Sequence, residues 1–225
     1  EPEAHLEALY RQTGALKPLA DLLAGQAHRT ADAARRRAVL VEVARLHADG
    51  LGDPAAAVDH LRDALAAGAP DPALAAELAE HLRATKRWPE YLEALAAAGR
   101  AEPDPADPEW TLEVGRVHLY ERRDAAAALP YVVAAARALP DRVDVAADVA
   151  EARAALGQVD TAVALLEQCL AGLVGRGWAS QRATLAQRLA RLLERPEGDP
   201  DRARAAWRAA IEDGVRDPAV LDRCE

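Results

Sequence analysis

The chain repeats itself, and repetition at a fixed period leaves few folds open. The stretch beginning "EVARLHADGLGDPAAAVDHL" at Glu42 lies without gaps on "EVGRVHLYERRDAAAALPYV" at Glu113, as far as Ala69 opposite Pro140. A third copy, "RLARLLERPEGDPDRARAAW", fits with Arg188 opposite Glu42. Between these copies a second kind of segment recurs. "LEALYRQTGALKPLADLLAGQA" at 6–27 matches "LAEHLRATKRWPEYLEALAAAG" at 78–99, and more loosely "VAEARAALGQVDTAVALLEQCL" at 149–170.

Apolar residues fall three and four apart, as in Leu40, Val43, Ala44 and His47 or Leu61, Ala64 and Leu65. That spacing predicts helix almost throughout and no strand. Asp-Pro at 53–54, 71–72, 107–108, 199–200 and 217–218 marks helix starts. Asp as N-cap accepts from free backbone amides, and Pro at the first helical position lacks a donor that would be orphaned there anyway. Each superunit of the repeat therefore holds two helical hairpins. Their expected spans are 2–28, 31–69, 71–99, 106–139, 141–174 and 177–214, with a truncated seventh starting at 217. One hairpin cannot bury its own apolar face, so residues 1–225 are expected to form a single solenoid with a ribbon-like core.

A small–large–small trio recurs in the second helices: Ala57, Leu61, Ala64; Ala128, Val132, Ala135; Ala162, Leu166, Cys169; Ala203, Trp207, Ala210. First helices end in an aromatic residue, His or Leu (Tyr10, His47, Leu82, His118, Leu193), and Pro70 and Pro140 close units. This pattern resembles the tetratricopeptide-repeat family over nearly the whole chain. The resemblance implies an all-α, right-handed superhelical solenoid of antiparallel hairpins. Three departures stand out: the family's first-helix Trp is missing, its Gly is usually Ala, and Pro130 is expected to interrupt one second helix near its first turn. Neither end carries the polar outer face of a capping repeat and no Met opens the chain, so it reads as part of a longer bacterial array.

Composition narrows the function. With 28 Lys+Arg against 37 Asp+Glu, the formal charge of −9 argues against nucleic-acid binding. Lys17 and Lys86 are the only lysines and about a quarter of the residues are Ala, as a high-GC coding bias produces. No apolar run is long enough to make a membrane helix, so no insertion is expected and the cytoplasm is the default compartment. Cys169 and Cys224 are too few and too far apart for a disulfide framework or a zinc site, and no His pair has metal spacing. Acidic pairs such as Asp59 with Asp63 or Glu77 with Glu80 read as solvated helix faces. "GLVGRG" lacks the residues of a phosphate loop, and Ser180 lacks a nucleophile's context. No catalysis, cofactor or metal is expected.

The remaining candidate is the concave face that first helices line in the family. Arg45 recurs as Arg116 and Arg191, with Arg11 and Arg83 at a neighbouring position and Tyr120 and Gln187 further along. Guanidinium groups fork onto carboxylates, so these side chains are expected to hold an acidic or C-terminal carboxylate segment of a protein partner. The competing reading pairs the arginines with their helical neighbours, Arg45 with Glu42 and Arg116 with Glu113. The expected role is a protein-interaction scaffold; the alternative is a regulatory or intramolecular docking module of a larger enzyme or signalling protein. His47 and His118 read as packing residues.

Overall fold

The computed structural model describes residues 2–195 and 198–215, apart from the side chain of Arg176. Every regular element among them is helical, so the fold is all-α. The chain divides into two compact units, Glu1–Ala101 and Glu102–Glu225. In the first, α1 (Pro2–Thr13) pairs with α2 (Leu16–Arg29), α3 (Ala33–Arg45) with α4 (Pro54–Ala66), and α5 (Pro72–Ala84) with α6 (Trp88–Ala97). In the second, α7 (Pro108–Arg116) pairs with α8 (Ala125–Ala138), α9 (Val143–Ala155) with α10 (Val159–Gly172), and α11 (Ala179–Leu193) with α12 (Pro200–Glu212). Within each unit every helix also packs on the next, so hairpins stack on hairpins. The helix start at Asp217-Pro218 lies outside the described residues. None of the described helices is long and apolar enough to cross a membrane.

The punctuation works as its chemistry requires. Asp53, Asp71 and Asp107 accept from the amides of Ala56, Leu74 and Trp110 at 3.0, 3.1 and 3.1 Å, each with Pro at the start of the helix. Asp199 does the same for Asp201 and Arg202. Asp124 caps α8 without a following proline, through Ala127 at 2.9 Å. Pro130 does not interrupt that helix, contrary to expectation: α8 runs unbroken from Ala125 to Ala138. Pro130 and Ala126 are both exposed, so the carbonyl that lacks its usual donor faces water rather than the core.

Burial explains the small–large–small trio. Ala57, Leu61, Ala64, Ala128, Val132, Ala135, Ala162 and Leu166 have no accessible surface, and Ala203, Trp207 and Ala210 almost none. The small residues let the paired helices approach, and the large one fills the space against the neighbouring hairpin. Each large aliphatic side chain buried this way contributes about 1.5–3 kcal/mol. Stacking thus outweighs intrinsic propensity in helices as short as these. Of these trio positions only Cys169 stays partly open, and burial still raises its thiol pKa.

Two features of the repeat lie outside the sequence pattern. The last turns of α3 and α7 widen into π turns at equivalent places, Leu46–Gly50 and Val117–Glu121. Leu51 N donates to Leu46 O at 3.0 Å and Arg122 N to Val117 O at 3.1 Å. The hairpin turns also share a left-handed residue, at Gly14, Lys86 and Gly157. Lys86 holds φ +56° where its equivalents are glycine, and a side chain there crowds the following carbonyl. Lys86→Gly is therefore expected to raise stability by about 0.5–1 kcal/mol, read as a higher urea midpoint with unchanged m-value. A lower midpoint would show that the lysine side chain makes contacts worth more than its backbone strain.

Candidate functional site

Each recurrent arginine is presented by the last turn of a first helix, and the structure gives Arg45 and Arg116 partners that neither sequence reading named. Arg45 does not pair with Glu42. Its Nε and Nη2 donate to both carboxylate oxygens of Glu77 on α5, at 3.0 and 2.9 Å. Arg116 makes the equivalent reach from α7 to α9, with Nε on Asp148 Oδ2 at 2.6 Å and Nη2 on Asp144 Oδ2 at 2.8 Å. Glu42 instead pairs with Arg11 of α1 at 2.6 Å, and Arg11 also binds Glu7 one turn back. Within each unit, guanidinium groups thus tie one first helix to the next. Arg83 binds Glu80 on its own helix at 3.1 Å.

The second unit concentrates these bridges into a network. Asp148 is the hub, with 1% of its side chain exposed. Besides Arg116 it accepts from the Tyr120 hydroxyl, and from Arg188 Nη1 of α11 at 3.3 Å. Asp144, one turn earlier, takes both Arg116 and Arg142, and Arg142 extends to Glu109 of α7 at 2.8 Å. Hydrogen bonding to Arg142 holds Asp144 well below the usual carboxylate range; Arg116 adds to this, and partial burial opposes it. Burial, then the hydrogen bond to Asp148, pushes the Tyr120 phenol up to about 12. Arg116, Arg142 and Arg188 meet Glu109, Asp144 and Asp148, so the network is balanced within itself.

The predicted residues therefore divide. Arg11, Arg45 and Arg83 lie in the first unit and keep about half of their side-chain surface in water. A hollow of about 430 Å³ beside Arg45 is lined by Glu42, Leu46 and Asp49. In the second unit Arg116 and Tyr120 belong to the Asp148 network, while Gln187 and Arg191 stand outside it. Arg191 is exposed and makes no ion pair with a described residue; its copy-one counterpart, Arg45, has Glu77. A second hollow of about 290 Å³ separates α9 from α11, between Asp144, Ala147, Trp178 and Thr184. Asp144, Asp148 and Arg188 escape the sequence reading. Asp148 takes the place in copy two that Glu77 takes in copy one, so an acidic column runs beside the arginine column in the repeat alignment.

The histidines pack, and do so in pairs. His47 lies 5.3 Å from His60, and His118 stacks on Tyr131 at 5.6 Å. His60 and Tyr131 hold equivalent positions in copies one and two, so one ring-on-ring contact occurs twice. Burial lowers the pKa of His60 and of His118, favouring the neutral imidazole in each. The Nδ1 atoms of His47 and His118 are buried and meet no hydrogen-bond partner among the described residues. No group of three or more metal-ligating side chains comes together among the described residues.

No protein-family model and no curated protein matches the chain. Solved structures do, at the level of fold. The C-terminal part of a tetratricopeptide-repeat protein from Cytophaga hutchinsonii is 14% identical, over 97% of this chain and 85% of that one, with a TM-score of 0.55. YrrB, described as a tetratricopeptide-repeat protein with an unusual peptide-binding site, is 15% identical over 82% of this chain and 89% of its own, with a TM-score of 0.56. MamA is 16% identical over 72% of this chain and 90% of its own, with a TM-score of 0.51. The fold is that of the tetratricopeptide repeat.

The depressed Asp144 has a pH consequence. A carboxyl whose folded pKa lies below its unfolded value stabilises the fold above that unfolded value, and the contribution fades as pH falls toward the folded one. Urea midpoints of the wild type should thus drop as pH falls below about 4, and Asp144→Asn should flatten that drop while lowering stability at neutral pH. Parallel pH profiles for the two proteins would contradict the pairing.

Proposed function

We propose that the chain is a protein-binding scaffold without catalysis of its own, which takes an acidic segment of a partner on its first-helix faces. In the first unit Arg11, Arg45 and Arg83 supply the cations, and in the second Arg191 does so, with Gln187 one turn before it as a polar neighbour. The observation that carries this reading is Arg191. It is the third occurrence of the arginine register, it stands in water, and no described carboxylate meets it. Arg45, half in water while forked on Glu77, is able to exchange that exposed pair for an incoming carboxylate at little cost. Exposed pairs of this kind contribute only about 0–1 kcal/mol. Peptide binding by YrrB, a protein of the same fold, supports the choice of ligand class. Arg116 and Tyr120 act at one remove by holding the second unit's face rigid around Asp148.

The test is to recover the partner with the wild-type chain and measure its affinity for charge-reversed variants. Arg45→Glu and Arg191→Glu should each weaken binding by about ten-fold with helicity unchanged by circular dichroism. Raising salt should weaken binding further, because exposed charges are screened. Equal affinity for wild type and both variants would remove the arginines from the interface.

A further inference from the structure

Inside the two units, second helices are stitched by an ion pair at two junctions, α4–α6 and α10–α12, and carry none at the same positions of the other two. In the first unit, Arg62 of α4 is ion-paired with Glu90 of α6. In the second, Glu167 of α10 is paired with Arg202 of α12 at 2.5 Å. These pairs occupy the same two register positions. One follows the large residue of the trio (Leu61 or Leu166), and the other immediately precedes Tyr91 of α6 or Ala203 of α12. At the α8–α10 junction the same positions hold Val133, after Val132, and Thr161, before Ala162. The α2–α4 junction likewise lacks charges there, with the small residues Ala24 and Ala56, whereas the α8–α10 junction has a β-branched pair and a groove.

A groove of about 880 Å³ lies at this junction, between α8 and α10 with α9 beneath. Val133, Val149 and Leu165 give it an apolar lining, and Cys169, the one trio residue left partly open, is at its wall. Trp178, 42% exposed, stands at one end. Arg137 and Arg153 also line the groove, and neither meets a carboxylate among the described residues. Asp141, in the loop before α9, and Arg142, already held by Asp144 and Glu109, complete its charges. An apolar trough with two unsatisfied cations, in a chain whose formal charge is −9, selects its occupant by complementarity.

We propose that this groove is a docking site for a partner segment that presents an apolar face flanked by carboxylates. It is separate from the first-helix arginines, so the two sites stand or fall independently. The probe is a displayed library of random segments of about sixteen residues, roughly one helix in length, selected on the wild-type chain. Binders should carry apolar residues interleaved with Asp and Glu. Their affinity should fall by about ten-fold for Arg137→Glu/Arg153→Glu. It should fall at least as far for Val133→Arg/Thr161→Glu, which installs the bridge of the two stitched junctions. Arg45→Glu and Arg191→Glu should leave it unchanged, and thermal melting establishes that each variant is folded. Basic binders, no binders, or acidic binders indifferent to both groove variants would overturn the proposal. So would sedimentation showing wild-type dimers that Val133→Arg/Thr161→Glu abolishes, since a second copy of the chain would then be the occupant.

Discussion

Asp148 sits almost wholly out of water, and a carboxylate there is tolerable only because two guanidinium groups and a phenol converge on it. That requirement organises the second unit. Arg116 comes from α7, Tyr120 from the π turn that ends α7, Arg188 from α11, and Asp148 itself from α9. Three first helices are thereby tied at one point, and a change in the separation of any two would expose or orphan a charge. The first unit uses the same register more loosely, with Arg45 forked on Glu77 in a pair that keeps contact with water. At Arg45 and Arg116 the arginine column therefore ties successive hairpins together.

Beneath these ties, apolar stacking does the holding. Alanines without accessible surface bring the paired helices close, and Leu61, Val132, Leu166 and Trp207 fill the spaces between hairpins. The ring pairs His47–His60 and His118–Tyr131 join the first helix of a hairpin to its second in the same way in two hairpins. A polar ring suits such a place because burial favours its neutral form, as it does for His60 and His118. The faces left over then differ in kind. First helices expose a lattice of charges in which Arg191 meets no described carboxylate, and one second-helix junction holds an apolar groove where two of its equivalents carry ion pairs.

Much of this was legible in the sequence, for physical reasons. Asp-Pro at a helix start has a single chemical meaning, and the buried trios follow from period and size alone. The histidines read correctly as packing because Leu193 takes the same place in the third copy. The partners of the arginines were not legible by that route. Helical spacing offers Glu42 to Arg45, whereas the guanidinium reaches across to Glu77 of α5, and only stacking brings those two together. Comparing columns rather than neighbours finds Glu77 beside Asp148, just as it finds Val133 and Thr161 in place of an ion pair. The π turns leave no such trace, since they arise from backbone accommodation at the helix end rather than from a residue type.

A double-mutant cycle between Arg116 and Asp148 tests these ties most directly, with Arg116→Ala, Asp148→Ala and the double variant compared by urea unfolding. Groups that meet in a partly buried, charge-assisted bond should couple by about 1–3 kcal/mol, so the double variant should lose clearly less than the sum of the two singles. Strict additivity would mean that the arginine register does not bind its hairpins together, and that its recurrence needs another cause.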